Sequence, residues 1–396
     1  MFYTFLSIYL REFLVMTVTE TTLYATLPMI MNVLFQTFLW GPISDKFQRR
    51  RLLVISGEIL AGVGTLTVFF IHSAFSNLYL AGYIIIIGLS CVEVFWSMSN
   101  IGWSALISDI YPSSEREKIM GQLTSIGGLG RIIGILIGGF LYENGWGFRN
   151  GSLFFIASFV MFVSALPMLL APEGGIGLKQ NSGDLAIEQK ENHENHMLIF
   201  VIFLISLIFI NFGRNSISVP YSQFLSLDSG FNVDSILLSF IMNTRSLAIL
   251  LIGIPIGVLS KKIGVSKTLI LGVSFSITAL IFTAFINNLI FVFIGSFFVG
   301  AGDVLITATS YAIASELIPE EKRGKLFSFY NMTFFLSWGL ASTVISGPLI
   351  DLLINIGMSD FFAYQMAFLV GIMICLVGLL IFIFLDIARK KGNFAS

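Results

Sequence analysis

Six ionisable side chains lie within long apolar stretches of the sequence, where a charge is costly and therefore informative. At the centre of an apolar helix in a lipid bilayer, a charged residue costs about 2.5 to 3.5 kcal/mol on insertion scales. Such residues usually face a cavity or a partner of opposite charge. The six are Glu58, Glu93, Arg131, Arg214, Arg245 and Asp303.

The chemistry open to these residues is proton exchange, anion binding and ion pairing. Glu93 and Asp303 are candidate proton carriers, because a carboxylate removed from water can take up and release a proton during a working cycle. The three arginines are candidate anion-binding residues or counter-charges. An alternative interpretation is that the charges pair across helices and only fix the packing. Weaker candidates for polar or aromatic lining are Asn211, Asn215, Asn243, Asn331 and Trp338.

The sequence contains no signature of a soluble enzyme. It has no phosphate-binding P-loop, no glycine-rich dinucleotide turn with an acidic partner, and no His/Cys set at metal-ligand spacing. The tract from Glu191 to His196 could be imagined as a metal site, but in a polar segment a solvated loop is the favoured interpretation. We therefore expect no enzymatic activity, no cofactor and no metal.

Charge and cysteine content exclude two further classes of protein. The formal net charge is -1, so no basic domain for nucleic acid is indicated. Cys91 and Cys375 both lie within apolar runs. They are expected to be small buried packing residues rather than members of a disulfide framework.

The stretches that carry the six charges have the length of membrane helices. The chain is 56% hydrophobic and 11% charged, with a mean hydropathy of +0.90, and a helix needs about 20 apolar residues to cross a bilayer. Eleven full spans are predicted, preceded by an apolar piece from Met1 to Leu10 that is too short to cross alone. The spans are 22–43, 52–72, 77–108, 120–142, 151–171, 197–225, 235–260, 267–287, 289–316, 326–350 and 362–386.

One long polar segment divides the chain. Residues 172–196 are rich in Gly, Asn, Glu and Gln, which predicts a flexible linker between a first helical bundle, 1–171, and a second, 197–396. Most Lys and Arg residues fall in the linker, in alternate loops and in the C-terminal tail. The positive-inside rule therefore predicts that the linker and the C-terminus are cytoplasmic.

The two bundles repeat each other. GPISDKFQRRR, from Gly41 to Arg51, matches GVLSKKIGVSK, from Gly257 to Lys267, 216 residues later. A second landmark repeats after 207 residues, where Asp109, Pro112 and Arg116 match Glu316, Pro319 and Arg323. Two landmarks in the same order indicate a duplicated structural unit.

The first landmark carries a family resemblance. Gly41, Asp45, Lys46, Arg49 and Arg50 resemble the signature loop between helices two and three of the major facilitator superfamily, and Asp109 to Arg116 resembles its loop between helices four and five. Gln48 departs from the family pattern, which usually has glycine there.

This resemblance implies an all-α membrane protein with two pseudo-symmetric six-helix bundles. It also implies that Gly41, Asp45, Arg49 and Arg50 act as a latch between outward-open and inward-open states. In the family fold, the central cavity is lined by helices one, two, four, five, seven, eight, ten and eleven. If one helix missing before the first predicted span is counted as helix one, only Glu58 of the six charged residues falls on another helix.

The first bundle has one helix fewer than the second. An offset of 216 residues aligns Phe2 with Ser218, so residues 196–217 have no counterpart in the first bundle. We expect the chain to be truncated or to begin at an internal methionine, with twelve spans in the intact protein. The alternative is a variant that is genuinely shorter.

The function expected is alternating-access transport of a small organic molecule, exported in exchange for protons by a monomer in the lipid bilayer. Gly130, Gly134, Gly138 and Gly139 resemble the glycine pattern of exporter branches, although Ile135 replaces a proline, and close helix packing alone would also explain them. Two alternatives stay open: proton-coupled uptake of an organic anion or sugar, and a non-transporting membrane scaffold or receptor.

Overall fold

The computed structural model describes residues 2–110, 113–174, 193–318 and 323–390, and every regular element among them is helical. Residues 175–192 of the predicted linker lie outside this part, as do the side chains of residues 193–196 in the His/Glu tract. Helix α9 begins at His193, inside the segment predicted as linker. The helices are α1 (Phe2–Glu12), α2 (Val18–Phe35), α3 (Gly41–Phe47), α4 (Arg50–Ser73), α5 (Leu78–Ile110), α6 (Ser113–Tyr142), α7 (Trp146–Arg149), α8 (Ser152–Met168), α9 (His193–Asn215), α10 (Pro220–Ser226), α11 (Ser235–Gly253), α12 (Ile256–Ile263), α13 (Val265–Phe285), α14 (Leu289–Leu317), α15 (Arg323–Ala341), α16 (Gly347–Asn355) and α17 (Asp360–Lys390).

Each of the eleven predicted spans is occupied by helix. Within the described residues, nine helical stretches are long and apolar enough to cross a membrane, and two shorter apolar helices, Ile126–Tyr142 and Ser152–Met168, occupy the remaining predicted spans. The apolar piece at the start forms α1, whose residues Phe5 to Leu10 are buried. Large apolar side chains such as Phe38, Ile254 and Phe384 are exposed on the helix surfaces, as expected where lipid replaces water as the solvent.

Two helices are interrupted by a π-helical turn for the same local reason. Residues Gln36–Trp40 and Ser342–Ser346 form these turns, and each is followed by Gly-Pro, at Gly41 and at Gly347. Proline lacks an N–H donor and its ring clashes with the carbonyl of the preceding turn, so the helix widens just before it. The sequence Gly-Pro-x-x-Asp thus occurs twice, although the sequence analysis did not identify it.

The chain divides into two compact units. The first comprises Met1–Met16 and Leu23–Ala186. Its centre is α4, which packs against α5 and α8. Close approach is possible because Gly57 has no side chain: a Cβ there would lie 2.7 Å from the backbone nitrogen of Ser99. Phe148 and Phe154 are fully buried beside the start of the chain, in an aromatic cluster that includes Phe5 and Tyr9.

The second unit comprises Thr17–Thr22 and Ile187–Ser396. Helix α14 packs against α11 and α13, and α9 packs against α17. Cys375 is buried where α17 meets α9, as expected, and a Cβ on Gly213 would lie 2.5 Å from its backbone nitrogen. Cys91, in the first unit, is exposed instead. That expectation was wrong for Cys91, because a small thiol is apolar enough to stand on the outer face of a membrane helix.

Candidate functional site

Two arginines share one carboxylate in the second unit. Arg214 of α9 donates through Nη1 to Oδ1 of Asp303 on α14. Arg245 of α11 donates to the other carboxylate oxygen, Oδ2, through Nε at 2.9 Å and Nη2 at 2.5 Å. Three candidate site residues that are far apart in the sequence are therefore brought together.

Glycines on α14 let the helices approach closely enough for this pairing. A Cβ on Gly300 would lie 2.2 Å from the carbonyl oxygen of Arg245, and one on Gly302 would lie 2.8 Å from the carbonyl oxygen of Gly272 on α13. Because neither glycine has a side chain, α14 lies directly against both neighbours. Asp303 follows Gly302 directly and is thereby within hydrogen-bonding distance of Arg214 on α9 and Arg245 on α11.

The two arginines have different surroundings. Arg214 donates from Nε to Oδ1 of Asn211 at 2.9 Å, and its guanidinium lies 5.9 Å from the ring centre of Phe334. Its side chain is only 9% exposed, whereas that of Arg245 is 37% exposed. Asn211 in turn donates to Thr333 at 3.3 Å. Arg214 is therefore held on several sides, and Arg245 is the more accessible cation.

A cavity opens beside this cluster within the second unit. It contains about 690 Å³ of space free of protein atoms, including space open to solvent. Arg214, Arg245 and Asp303 are its charged lining residues, so the lining carries one excess positive charge. The other lining residues are Asn215, Ile217, Ser218, Tyr221, Met242, Ser276, Ala279, Leu280, Thr283, Ser296 and Val299.

The buried acid of the first unit has a neutral partner. Glu93 of α5 is 6% exposed, and Nδ2 of Asn32 on α2 donates to its Oε1 at 2.5 Å. No salt bridge to Glu93 is formed among the residues that the structure describes. Glu93 can therefore exchange a proton without leaving a cation unpaired. Sequence reasoning missed Asn32, whose only signal was a polar residue within an apolar span.

Glu58 and Arg131 are the other two of the six predicted charges that lie in the first unit, and their surroundings differ from those of Glu93. Glu58 accepts hydrogen bonds from the hydroxyls of Ser99 at 2.7 Å and Ser164 at 3.0 Å, which ties α4 to α5 and α8. Arg131 on α6 is exposed, and no salt bridge to it is formed within the described ranges. A Cβ on the adjacent Gly130 would meet no atom within 4 Å. Among the described residues, Gly130 therefore makes no close helix contact.

The signature loop is built around a buried arginine. Arg50, at the start of α4, is 8% exposed, donates to the hydroxyl of Ser44, and pairs with Asp109 at 3.3 Å. Arg49 is exposed, Gly41 begins α3, and the side chain of Asp45 lies outside the described residues. Of the four predicted latch residues, Arg50 is thus the one whose side chain has hydrogen bonds and an ion pair among the described residues.

The turn between α3 and α4 explains why the family pattern has a glycine at the position of Gln48. Gln48 has φ 52° and ψ 26°, in the left-handed region. Glycine adopts this conformation without a steric penalty, whereas a side chain makes it unfavourable. A glycine at this position, as in the family pattern, is therefore a consequence of the turn.

The residues that follow α8 are hydrogen-bonded to the start of α4, beside the signature loop. Oε1 of Glu173 accepts from the backbone N–H of Arg51 at 2.8 Å, and Arg51 Nη1 donates to the carbonyl of Ala171 at 2.9 Å. A Cβ on Gly174 would lie 3.0 Å from the carboxylate of Asp109. Sequence reasoning missed Ser44 and Glu173, and it used Asp109 as a landmark of the repeat and of the family resemblance but not as the partner of Arg50.

Membrane-length helices in two units, with buried charges inside them, define a polytopic transporter-like membrane protein. The family model described as Major Facilitator Superfamily matches residues 1–212 and 203–396. The chain belongs to the major facilitator superfamily, a family of membrane transporters, and the resemblance seen in the signature loop is confirmed.

Relatives and solved structures agree with this assignment. The chain is 32% identical over 124 residues to "Uncharacterized transporter BU466" of Buchnera aphidicola subsp. Acyrthosiphon pisum (strain APS), a match covering 31% of this chain and only 30% of that relative. The fold of this chain is similar to that of a bacterial homologue of the human lysosomal transporter Spinster, with a TM-score of 0.74 and 14% sequence identity. The match covers 98% of this chain and 93% of the homologue. The chain is also similar to the nucleoside transporter NupG, with TM-score 0.72, 12% identity, and 97% and 95% covered.

Proposed function

We propose that this protein is a secondary transporter that moves a small organic solute by alternating access and exports it in exchange for protons. The observation that carries the proposal is the Arg214–Asp303–Arg245 cluster, which lines a cavity among helices of membrane length. Three charges inside apolar helices are costly. A solute-binding cavity gives them a role that packing alone does not.

The proton role belongs to Glu93 rather than to Asp303. A proton on Asp303 would have to compete with two guanidinium groups, whereas the hydrogen-bond donor to Glu93 is a neutral amide. Binding and release of a proton at Glu93 therefore disturb fewer interactions. Arg131, which is exposed on α6, is a further candidate for the solute pathway.

The latch proposed for the signature loop comprises Gly41, Asp45, Arg49 and Arg50. Its support is the buried pair between Arg50 and Asp109, which joins the loop to the end of α5. We place this loop, the linker and the C-terminus in the cytoplasm, following the distribution of basic residues. The transporter is proposed to act as a monomer in the bilayer.

The test is proton movement in proteoliposomes that contain a pH-sensitive dye. Organic acids, organic cations and sugars are added outside, one at a time. Inward movement of a solute raises the internal pH if protons leave in exchange, and lowers it if protons enter together with the solute. Protein-free liposomes measure passive entry of weak acids and bases.

Two variants make the test specific. Glu93→Gln is expected to abolish proton movement, and Arg389→Gln is the matched control because Arg389 pairs with Glu316 outside the cavity, at 2.8 Å. Internal acidification by an anion or sugar would replace export by the alternative, proton-coupled uptake. Full transport after joint neutralisation of Glu93, Arg131 and Asp303 would disprove the roles of these charges and revive the scaffold interpretation.

A further inference from the structure

We infer that the cavity of the second unit binds an organic monoanion, a carboxylate-bearing solute held by Arg245. This inference rests on the proposed function and names the substrate class for the same cavity. The first support is the charge of the lining, where two guanidinium groups face one carboxylate. An uncompensated charge in an apolar setting is costly, and a bound monoanion removes it.

The hydrogen-bonding pattern shows which arginine is available. Arg214 uses Nε for Asn211 and Nη1 for Asp303, and it is nearly buried beside Phe334. Arg245 uses Nε and Nη2 for Asp303, and among the described residues Nη1 has no hydrogen-bond partner. Its side chain is 37% exposed. The Nη1 group of Arg245 is therefore the donor available to an incoming carboxylate.

The same pattern disfavours other solute charges. Both oxygens of Asp303 already accept from guanidinium groups, so an organic cation would be repelled by two arginines that surround the one acid. A dianion would leave one excess negative charge in the cavity. A neutral sugar would leave the excess positive charge uncompensated. Only a monoanion brings the lining to neutrality.

The uncharged lining residues indicate the polarity of the part of the solute that lies outside its carboxylate. Ile217, Met242, Leu280 and Val299 supply apolar contact area. Tyr221, Thr283 and Ser296 add hydroxyl groups to the same lining. A small monocarboxylate with an apolar body matches this combination.

The test compares benzoate with benzamide, its neutral isostere, and with benzylamine. The full-length protein is held in detergent in a buffer free of other carboxylates. Its unfolding temperature is measured with each probe at about 10 mM, which is ten times a dissociation constant of about 1 mM. Benzoate is expected to raise the unfolding temperature by about 3–6 °C, because binding at ten times the dissociation constant stabilises the protein by about 1.4 kcal/mol. Benzamide and benzylamine are expected to raise it by less than half as much. Because the inference concerns charge more than shape, a simple monocarboxylate is a sufficient probe.

Variants then locate the effect. Arg245→Gln leaves Arg214 paired with Asp303, so the lining becomes neutral without an orphaned acid, and the response to benzoate should disappear. Arg245→Lys keeps the charge and should retain part of it, which separates loss of binding from misfolding. Arg389→Gln should respond like the native protein. Equal responses to benzoate and benzamide, no response to benzoate, or a full response in Arg245→Gln would each overturn the inference.

Failure of this inference and failure of the proposed function are separable. If neutral or cationic solutes drive proton movement in the liposome assay while benzoate has no effect on stability, only the substrate class is wrong. If benzoate binds through Arg245 but no solute drives proton movement, the anion site stands and the proton-coupled mechanism fails.

Discussion

Replacement of Asp303 by asparagine removes the shared charge while keeping the side-chain volume. The native carboxylate accepts from Arg214 Nη1 and from Arg245 Nε and Nη2. Removal of one partner of a buried ion pair costs about 3–5 kcal/mol, because the other charge is left uncompensated. Arg245 keeps partial access to the cavity, so we expect the lower end, about 3 kcal/mol.

The measurement is the unfolding temperature of purified protein in detergent, followed by intrinsic tryptophan fluorescence. For a unit of this size, a loss of about 3 kcal/mol corresponds to a decrease of roughly 6–12 °C. The double variant Arg214→Gln/Asp303→Asn leaves one guanidinium and therefore the native net charge. It should recover at least about half of the loss, with a coupling energy of about 1–3 kcal/mol.

Asp386→Asn is the matched control. Asp386 pairs with Lys390 four residues further along α17, at 2.5 Å, and the lysine is 61% exposed. The Asp386 side chain is 13% exposed, but an ion pair between residues four apart on one helix contributes only about 0.2–0.5 kcal/mol, so the control should change the unfolding temperature little. The reasoning is refuted if Asp303→Asn is as stable as the native protein. It is also refuted if the stability change of the double variant equals the sum of the changes in Arg214→Gln alone and Asp303→Asn alone.

Three backbone features yield further predictions for the same unfolding assay. Gly300→Ala should destabilise by about 1–3 kcal/mol, because its Cβ would lie 2.2 Å from a backbone carbonyl oxygen of α11, whereas Gly257→Ala, with no atom within 4 Å, should not destabilise. Gln48→Gly should stabilise by about 0.5–1 kcal/mol by relieving the left-handed conformation; a loss of stability would contradict this. Asp351→Ala should destabilise by about 1–2 kcal/mol, since its carboxylate accepts two backbone N–H groups of the first turn of α2 at 2.9 and 2.8 Å; an unchanged unfolding temperature would contradict this.

The helices could be predicted because apolar length alone determines which segments span a bilayer. Interruptions within them were harder to predict. The span predicted as 22–43 is divided into α2, a π-helical turn and α3, because Pro42 cannot continue the regular hydrogen bonding. A proline in an apolar span indicated some distortion there, but not its form.

The candidate site could be predicted as a set of residues but not as a set of contacts. Arg214, Arg245 and Asp303 were identified from their cost in an apolar setting, yet their pairing depends on how each helix is rotated about its axis. The sequence contains no direct signal of that rotation. Asn32 and Ser44 were missed because single polar residues are common in membrane helices, and only contact with Glu93 and Arg50 distinguishes these two.

The internal repeat separates residues of the scaffold from residues of the site. Gly41 and Gly257 occupy matching positions, as do the acids Asp109 and Glu316, so these features were kept in both halves. The site charges were not kept: with the offset of 207 residues, Glu93 matches Gly300, Asp303 matches Trp96 and Arg131 matches Trp338.

The matching positions carry no charge, so these residues are not part of the repeated scaffold. In the structure their chemistry does differ, since Glu93 is held by a neutral amide while Asp303 is shared by two cations. Proton exchange at one site and anion binding at the other would account for that divergence, and this division of roles is what the Glu93 and Arg245 variants test.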